Sequence, residues 1–340
     1  MLFIALSAIA LVLLATVTAC SDDSDDAAEP TTTTSEPAPI PDRRPFGFGF
    51  RSETLVDSSR PTPAAPDKGI EAADDRTIGL TVVYPIDGEP SPERQGTAGI
   101  VDHIDPPADS DTEPAEGPFP LLVFAHGWNG SGASLVGPAA RWASAGYVVA
   151  LPTFPLSQDG IGTDIDMINQ PGDISFVIDT LLERSEGDDD LLAGAIDADR
   201  IAVGGHSLGS ATVFGFENSC CEDPRVKAIV AISGGPAPYS TGDYDAEFAT
   251  PMLLIHGSKD PGVNPAISEA VFAQTPGKMA LLLFDEGTHT SQFEGEDGLL
   301  LDRVLVAFLD RELGIDPTAW DGLEEEVAAS GRGSLQSKDL

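Results

Sequence analysis

Apolar and polar positions follow two periods along the chain. Short runs of apolar and β-branched residues predict strands, and runs with apolar residues three or four positions apart predict helices. Strands are predicted at 78–84, 121–125, 147–151, 200–204, 226–232, 252–255 and 280–284. Helices are predicted at 139–145, 174–182, 208–218, 267–272 and 299–309. Strands and helices therefore alternate from about residue 77 onwards.

Several of the predicted strands are apolar throughout, such as 121–125 and 252–255. Strands of this kind are typical of a parallel sheet that is buried on both faces. Their alternation with helices predicts an α/β fold, with a mostly parallel central sheet flanked by helices. Because no long insertion separates the strands at 226–232 and 252–255, we expect no large lid.

The beginning of the chain has a different pattern. Residues 2–17 form an almost unbroken apolar run, and the tetrad V-T-A-C follows at 17–20, with Cys20 as its last residue. A run this short, followed by small residues, indicates an export signal rather than a spanning helix. The tetrad resembles the lipobox of bacterial lipoproteins, which implies that Cys20 is lipidated and that the mature chain faces outward from the cell membrane. A plain signal peptide and an uncleaved anchor are the alternatives.

Composition then predicts the domain boundaries. We assign residues 1–19 to the signal peptide and 20–70 to a disordered tether, because the region after Cys20 is rich in Asp, Thr and Pro and poor in apolar residues. Residues 71–315 are predicted to form the folded catalytic domain. Residues 316–340 are predicted to be a partly disordered extension.

Charge narrows the range of partners. The chain has 18 Lys and Arg residues against 56 Asp and Glu residues, for a formal net charge of −38. Such a chain repels nucleic acid, and it has no basic patch for anionic lipids, so we expect membrane contact only through the lipid anchor. We expect a monomer. The adjacent Cys220 and Cys221 either form a vicinal disulfide or remain as two thiols.

The residues G-H-S-L-G at 205–209 lie between a predicted strand and a predicted helix. This context is typical of a nucleophile elbow, in which a sharp turn exposes the serine at the edge of the sheet. Ser207 is therefore the candidate nucleophile.

A serine needs a histidine base and a carboxylate that orients the histidine. His289 follows the strand at 280–284, and Asp260 follows the strand at 252–255. The order serine, acid, histidine selects Ser207, Asp260 and His289. We interpret His256 as a packed turn residue. The rival acids are Asp285, Asp243 and Asp245.

Two backbone N–H groups must stabilise the oxyanion. Leu208 follows the nucleophile, and Trp128 lies in the glycine-containing loop after the strand at 121–125. We expect His126 to hold this loop by a hydrogen bond. Loops at the carboxyl ends of the strands also suggest Trp128, Tyr239 and Phe293 as substrate-binding residues. We interpret His103 as part of a solvated acidic loop and predict no metal site.

The motifs F-A-H-G-W, G-H-S-L-G, H-G-S-K-D and G-T-H together resemble the α/β-hydrolase superfamily, over residues 77–314. The pattern, including D-I-S-F-V-I-D at 173–179, is most similar to bacterial dienelactone-hydrolase-like, platelet-activating-factor-acetylhydrolase-like and cutinase-like or polyester-hydrolase-like serine esterases. The H-G-G-G stretch of another large esterase group is absent, and the elbow carries serine rather than cysteine.

The resemblance implies a serine carboxylic-ester hydrolase that forms an acyl-enzyme without a cofactor. Its substrate would be a small-molecule, lipid or polyester ester. A peptidase or thioesterase with the same triad remains an alternative, as does a catalytically dead, surface-anchored binding protein.

Overall fold

The computed structural model describes residues 45–88, 112–239 and 242–340. In these ranges the chain forms one nine-stranded sheet. The strands are β1 (Gly47–Asp57), β2 (Arg76–Ile86), β3 (Phe119–Ala125), β4 (Val148–Thr153), β5 (Ile196–His206), β6 (Val226–Ile232), β7 (Met252–Gly257), β8 (Met279–Phe284) and β9 (Gly333–Lys338). The helices are α1 (Val136–Ser144), α2 (Gln170–Glu186), α3 (Leu208–Phe214), α4 (Ala266–Gln274), α5 (Gly295–Glu312) and α6 (Leu323–Ser330).

The strand order is β1-β2-β4-β3-β5-β6-β7-β8-β9. Strands β3 to β8 are parallel to one another, while β1, β2 and β9 pair antiparallel with their neighbours at the two edges. The predicted fold class, a mostly parallel sheet between helices, is confirmed. Because the central strands are parallel, the loops after β3, β5, β7 and β8 meet at the same edge of the sheet.

The two faces of the sheet bury separate hydrophobic cores. Leu122 and Phe124 of β3 face a core shared with α1, α5 and α6, whereas Leu121 and Val123 face a core shared with α2 and α3. Strand geometry requires this division, since successive side chains point to opposite faces. All four side chains are fully buried, which explains why β3 reads as a continuous apolar run.

All seven predicted strands and all five predicted helices are present, with boundaries shifted by a few residues. The predicted domain boundaries were wrong at both ends. Residues 47–57, assigned to the tether, form the edge strand β1, in which Phe48 and Phe50 are buried. Residues 316–340, predicted to be partly disordered, contain α6 and β9, which complete the opposite edge.

The connection between β6 and β7 contains no helix in its described residues, 233–239 and 242–251, so no helical lid arises there. None of the helices in the described ranges is long and apolar enough to cross a membrane. Cys20 and His103 lie outside the described residues.

Candidate active site

Ser207 occupies a strained turn between β5 and α3. Its backbone has φ 57° and ψ −115°, a sparsely populated conformation for a residue with a side chain. The turn is possible because its neighbours are glycines. A Cβ at Gly205 would collide with the Gly209 carbonyl oxygen, and a Cβ at Gly209 would collide with the Ala125 carbonyl oxygen. The strand–turn–helix arrangement thus places Ser207 at the carboxyl edge of the sheet.

Asp260 and His289 are hydrogen-bonded to each other. The Nδ1 of His289 lies 2.7 Å from Oδ2 of Asp260, and the other carboxylate oxygen accepts the N–H groups of Gly262 and Val263 at 2.7 and 2.9 Å. Burial raises the pKa of Asp260, but these hydrogen bonds outweigh burial and hold its pKa below the ordinary value. Asp260 is therefore an ionised carboxylate at neutral pH. It selects the tautomer of His289 that leaves Nε2 free to accept a proton.

The rival acids do not contact His289 in the described part of the chain. Asp285 is exposed at the end of β8, where its N–H donates to the Arg332 carbonyl. Asp243 and Asp245 are exposed in the connection between β6 and β7. Asp260 is thus the carboxylate that the structure brings to the histidine.

His256 contacts the same carboxylate oxygen of Asp260 as His289 does. Its Nε2 is 3.2 Å from Asp260 Oδ2 and 3.1 Å from the Val263 carbonyl oxygen, and its Nδ1 is 2.7 Å from Ser268 Oγ. The side chain is completely buried. The predicted turn histidine is packed as expected, but it also contacts the acid, which sequence reasoning missed.

His206, directly before Ser207, holds the backbone of His289. Its Nε2 donates to the His289 carbonyl oxygen at 2.8 Å, and Gln292 donates to the same oxygen at 3.1 Å. Burial, followed by the proximity of His289, lowers the pKa of His206 to about 4, so its ring is neutral at pH 7. This link from the elbow to the histidine loop had no signal in the sequence pattern.

The loop after β3 carries Trp128, the residue expected to be the second backbone donor. Within the described chain neither Trp128 nor Leu208 has an acceptor for its N–H. The loop lies close to the nucleophile, since a Cβ at Gly127 would be 3.2 Å from Ser207 Cβ. His126 anchors it as expected: one ring nitrogen bonds the Gly127 carbonyl at 2.7 Å, and the other accepts the Phe154 N–H at 3.1 Å. Burial lowers the pKa of His126 to about 4.

Two cavities adjoin Ser207. The larger cavity, of about 590 Å³, is lined by aliphatic residues and by three charged residues, Asp67, Lys68 and Asp164. The smaller cavity, of about 370 Å³, contains His289. The Trp128 side chain lines both cavities and is 62% exposed.

Two of the three predicted substrate-binding residues have other roles. Phe293 is completely buried and packs its ring edge-on to His206, with centroids 5.4 Å apart, so it faces no open cavity. Tyr239 donates its hydroxyl to the Ala211 and Thr212 carbonyls at 3.0 and 3.2 Å, which braces α3. Tyr239 follows β6 and Phe293 follows His289 in the sequence, which is why both were expected near the substrate. Their side chains point into the protein instead.

The remaining cysteines form a vicinal disulfide between Cys220 and Cys221. No cluster of three or more His, Cys, Asp or Glu side chains suited to a metal ion occurs among the described residues.

No protein-family model and no curated protein matches the chain. Among solved structures, the chain is similar to a ferulic acid esterase from Streptomyces cinnamoneus, with a TM-score of 0.59 and 24% sequence identity. The similarity covers 82% of this chain and 92% of that chain. Together with the strand order and the elbow, it identifies the fold as that of the α/β hydrolases.

Proposed function

We propose that the protein is a serine carboxylic-ester hydrolase with Ser207 as nucleophile, His289 as general acid and base, and Asp260 as the orienting carboxylate. The observation that carries this proposal is the hydrogen bond between Asp260 and His289, on a histidine that shares a cavity with Ser207. The ferulic acid esterase with the same fold is an ester hydrolase by its name, which agrees with the proposal.

In the first half of the reaction, Nε2 of His289 takes the proton of Ser207 as Oγ attacks the ester carbonyl carbon. The N–H groups of Leu208 and Trp128 stabilise the negative oxygen of the tetrahedral intermediate. When the carbon–oxygen bond to the alcohol breaks, the imidazolium of His289 donates its proton to the departing alkoxide. The products of this half are the free alcohol and an ester between Ser207 and the acyl group.

In the second half, His289 removes a proton from water, which attacks the acyl carbon. Collapse of the second tetrahedral intermediate returns the proton to Oγ of Ser207 and releases the carboxylic acid. The ionised Asp260 stabilises the imidazolium that forms in each half-reaction. The residues named here account for every proton transfer.

The proposal is tested with p-nitrophenyl esters of increasing acyl length and with a fluorophosphonate, whose phosphorus bonds to an activated serine as fluoride leaves. We expect hydrolysis and a single label on Ser207, located by mass spectrometry. Ser207→Ala should abolish the label and reduce kcat by about 10⁶-fold. Label on another residue, or full activity in Ser207→Ala, would overturn the proposal. Thioester and peptide substrates in the same assay test the two alternative bond types.

We also propose that the enzyme is exported and anchored through a lipid on Cys20. The support is the V-T-A-C tetrad after an apolar run and before a polar segment. The vicinal disulfide agrees with an oxidising compartment. Metabolic labelling with a palmitate analogue should mark the wild-type protein and not Cys20→Ala, and lipid on that variant would contradict the proposal.

A further inference from the structure

His256, near the end of β7, is a fully buried imidazole that the proposed reaction does not use. On one side of the ring, Nε2 lies 3.1 Å from the Val263 carbonyl oxygen and 3.2 Å from Oδ2 of Asp260. On the other side, Nδ1 lies 2.7 Å from the hydroxyl oxygen of Ser268, which belongs to α4. The ring therefore lies between the orienting carboxylate and a helix of the scaffold.

These contacts determine which nitrogen of His256 carries the proton. Burial lowers the pKa of His256 below its ordinary value of 6.5, so at pH 7 the ring is neutral and has one N–H group. Nε2 faces a carbonyl oxygen and an ionised carboxylate, both of which can only accept, so the proton must be on Nε2. Nδ1 is then an acceptor, and the Ser268 hydroxyl must donate to it. A proton on Nδ1 would leave the lone pair of Nε2 buried against two acceptors, which is costly.

The Nε2–H group of His256 makes Oδ2 of Asp260 a shared acceptor. Nδ1 of His289 donates to the same oxygen at 2.7 Å. Val263, whose carbonyl accepts from His256, donates its own N–H to Oδ1 of Asp260 at 2.9 Å. His256 thus acts on the carboxylate directly, at Oδ2, and also through the backbone of Val263.

A second donor at Oδ2 changes how the carboxylate interacts with His289. Hydrogen bonds to an ionised carboxylate stabilise the charged form and lower its basicity. The imidazolium of His289 that forms in each half-reaction is stabilised by this same oxygen. Because the oxygen also accepts from His256, the carboxylate holds the proton of the imidazolium less strongly. This favours the step in which His289 gives its proton away.

The titratable groups close to His256 in the described chain all belong to the site. They are Asp260 in the same loop, His289 after β8 and His206 at the end of β5. The contact from α4 is a hydroxyl, and Glu269 of that helix is exposed. The pKa of His206 is lowered to about 4 by burial, and that of Asp260 lies below its ordinary 3.8 because of its hydrogen bonds. A change in the pH profile of activity near neutral pH therefore reports on His289.

We propose that His256 is a positioning residue, whose Nε2–H group fixes Oδ2 of Asp260 and the Val263 backbone and thereby sets how strongly the carboxylate holds the proton on His289. This inference rests on the proposed esterase function. His256 lines neither of the two cavities at Ser207, so its effect belongs to turnover and not to substrate binding.

The experiment compares two substitutions of His256 that differ in one N–H group. Leucine fills a similar volume without a donor, whereas the side-chain amide of glutamine can place an N–H group near the position of Nε2. Hydrolysis of p-nitrophenyl butyrate is measured from pH 5 to pH 9. The acid limb of kcat/KM reports protonation of the base in the free enzyme.

His256→Leu should lower kcat about tenfold and leave KM within about a factor of two, the usual effect of losing one hydrogen bond to a charged group. The midpoint of the acid limb should rise by about 0.5 pH unit, because Oδ2 then interacts with His289 alone and holds the imidazolium more strongly. His256→Gln should keep the wild-type midpoint and recover most of kcat.

Trp142→Phe is the control for a loss of stability without a change at the carboxylate. It removes the hydrogen bond of 2.7 Å from the Trp142 ring to Asp302, between α1 and α5. This variant should unfold at a lower urea concentration than the wild type and keep the midpoint of the acid limb. A structural role alone for His256 predicts the same behaviour for His256→Leu.

Nitrogen-15 spectra of the histidine rings test the tautomer without reliance on the leucine variant. Their chemical shifts distinguish protonated from unprotonated ring nitrogens, and the signals of His256 are those that disappear in His256→Gln. At pH 7 we expect a proton on Nε2 of His256 and none on Nδ1. A proton on Nδ1 overturns the proposal, whether or not His256→Leu folds.

The kinetic outcomes separate this proposal from the esterase proposal. An acid limb that stays in place in His256→Leu, or that moves equally in His256→Leu and His256→Gln, overturns the positioning role and leaves the esterase proposal standing. If the wild-type protein cleaves no ester and the fluorophosphonate does not label Ser207, the esterase proposal fails, and the positioning role fails with it.

Discussion

At the scale of single residues, two backbone N–H groups and two histidines contact the carboxylate of Asp260. Two backbone N–H groups fix one of its oxygens, and His289 and His256 meet at the other. In Asp260→Asn an amide N–H group can face Nδ1 of His289, which favours the wrong tautomer. We expect the variant to fold and kcat to fall by about 10⁴-fold in a p-nitrophenyl ester assay.

Asp285→Asn is the matched control, because Asp285 is exposed and follows the neighbouring strand β8. Its kcat should stay within a factor of two or three of the wild type. If Asp285→Asn is the damaging change and Asp260→Asn is mild, the assignment of the orienting acid is wrong.

The buried histidines give the protein a defined acid sensitivity. Burial lowers the pKa values of His126 and His206 to about 4, whereas an unfolded chain has histidine pKa values of about 6.5. Between these values the unfolded state binds protons that the folded state excludes. The free energy of unfolding should therefore be greatest above about pH 6.5 and fall as the pH drops to 4, by up to about 3 kcal/mol for each histidine.

Urea unfolding at several pH values checks this prediction, with His206→Gln as the test variant. Glutamine keeps an N–H group for the His289 carbonyl but does not titrate. The free energy of unfolding of the variant should therefore depend less on pH between 4 and 6.5. The lowered pKa of Asp260 stabilises the folded state over a different pH range, because the stabilisation by the ionised carboxylate is lost below about pH 4. An unchanged slope in His206→Gln would contradict the argument.

At the scale of elements, a buried ion cluster joins two segments that line the larger cavity. Arg76, the first residue of β2, bonds Asp166 at 3.0 and 2.9 Å and Asp173 of α2 at 2.7 Å through its Nε. All three side chains are fully buried. Arg60 joins the cluster through Asp57 and Asp173 at 2.7 and 2.9 Å. The chain before β2, which carries Asp67 and Lys68, is thereby fixed to the chain that carries Asp164.

Arg76→Met removes the cation and leaves two buried carboxylates without it. We expect the free energy of unfolding to drop by about 3–5 kcal/mol, the usual result of breaking a buried pair from one side. The control is Arg303→Ala, which breaks an exposed pair with Glu326 and should cost about 0.5 kcal/mol or less. Urea unfolding measures both, and similar values for the two variants would refute the structural role of the cluster.

The edge strands determine where the folded domain can be cut. Phe48 and Phe50 of β1 and Leu323 and Val327 of α6 are buried in the same hydrophobic core. A chain of residues 45–340 should fold and keep full esterase activity. A chain of residues 71–315 should be insoluble or lack near-UV circular dichroism, because it exposes these side chains and both edges of the sheet. A folded, active 71–315 chain would show that the edge elements are dispensable.

At the scale of the whole molecule, the parallel core was predictable and its edges were not. Strands such as β3 and β7 are apolar on both faces, so their sequence specifies them without knowledge of the neighbours. β9 has Leu335 as its one buried residue, and its position depends on backbone pairing with β8. β1 carries a signal in its alternating phenylalanines, but the Pro-rich residues around it led to the assignment as a tether.

The same distinction applies to the site. Chain order and strand ends were enough to nominate Ser207, Asp260, His289 and Trp128, since the ends of parallel strands meet at one edge. The contacts of His206 and His256 depend on loop conformation, which spacing along the sequence does not encode. Tyr239 and Phe293 were misassigned because a position after a strand says nothing about the direction of the side chain.

The charge of the whole chain makes a prediction of its own. The formal net charge is −38, so the excess carboxylates repel one another in the compact state. Mobile ions screen this repulsion, because the Debye length falls from about 30 Å at 0.01 M salt to about 8 Å at 0.15 M. Raising NaCl over this range should therefore raise Tm, by about 2–4 °C for each kcal/mol of repulsion removed. Sucrose at matched osmolarity is the control, because it leaves charges unscreened. If Tm falls as NaCl is added, the attraction within ion pairs, such as those of Arg76, outweighs the repulsion among the surplus carboxylates. If Tm rises only as much as it does in sucrose, the effect comes from exclusion of the solute from the protein surface and not from screening.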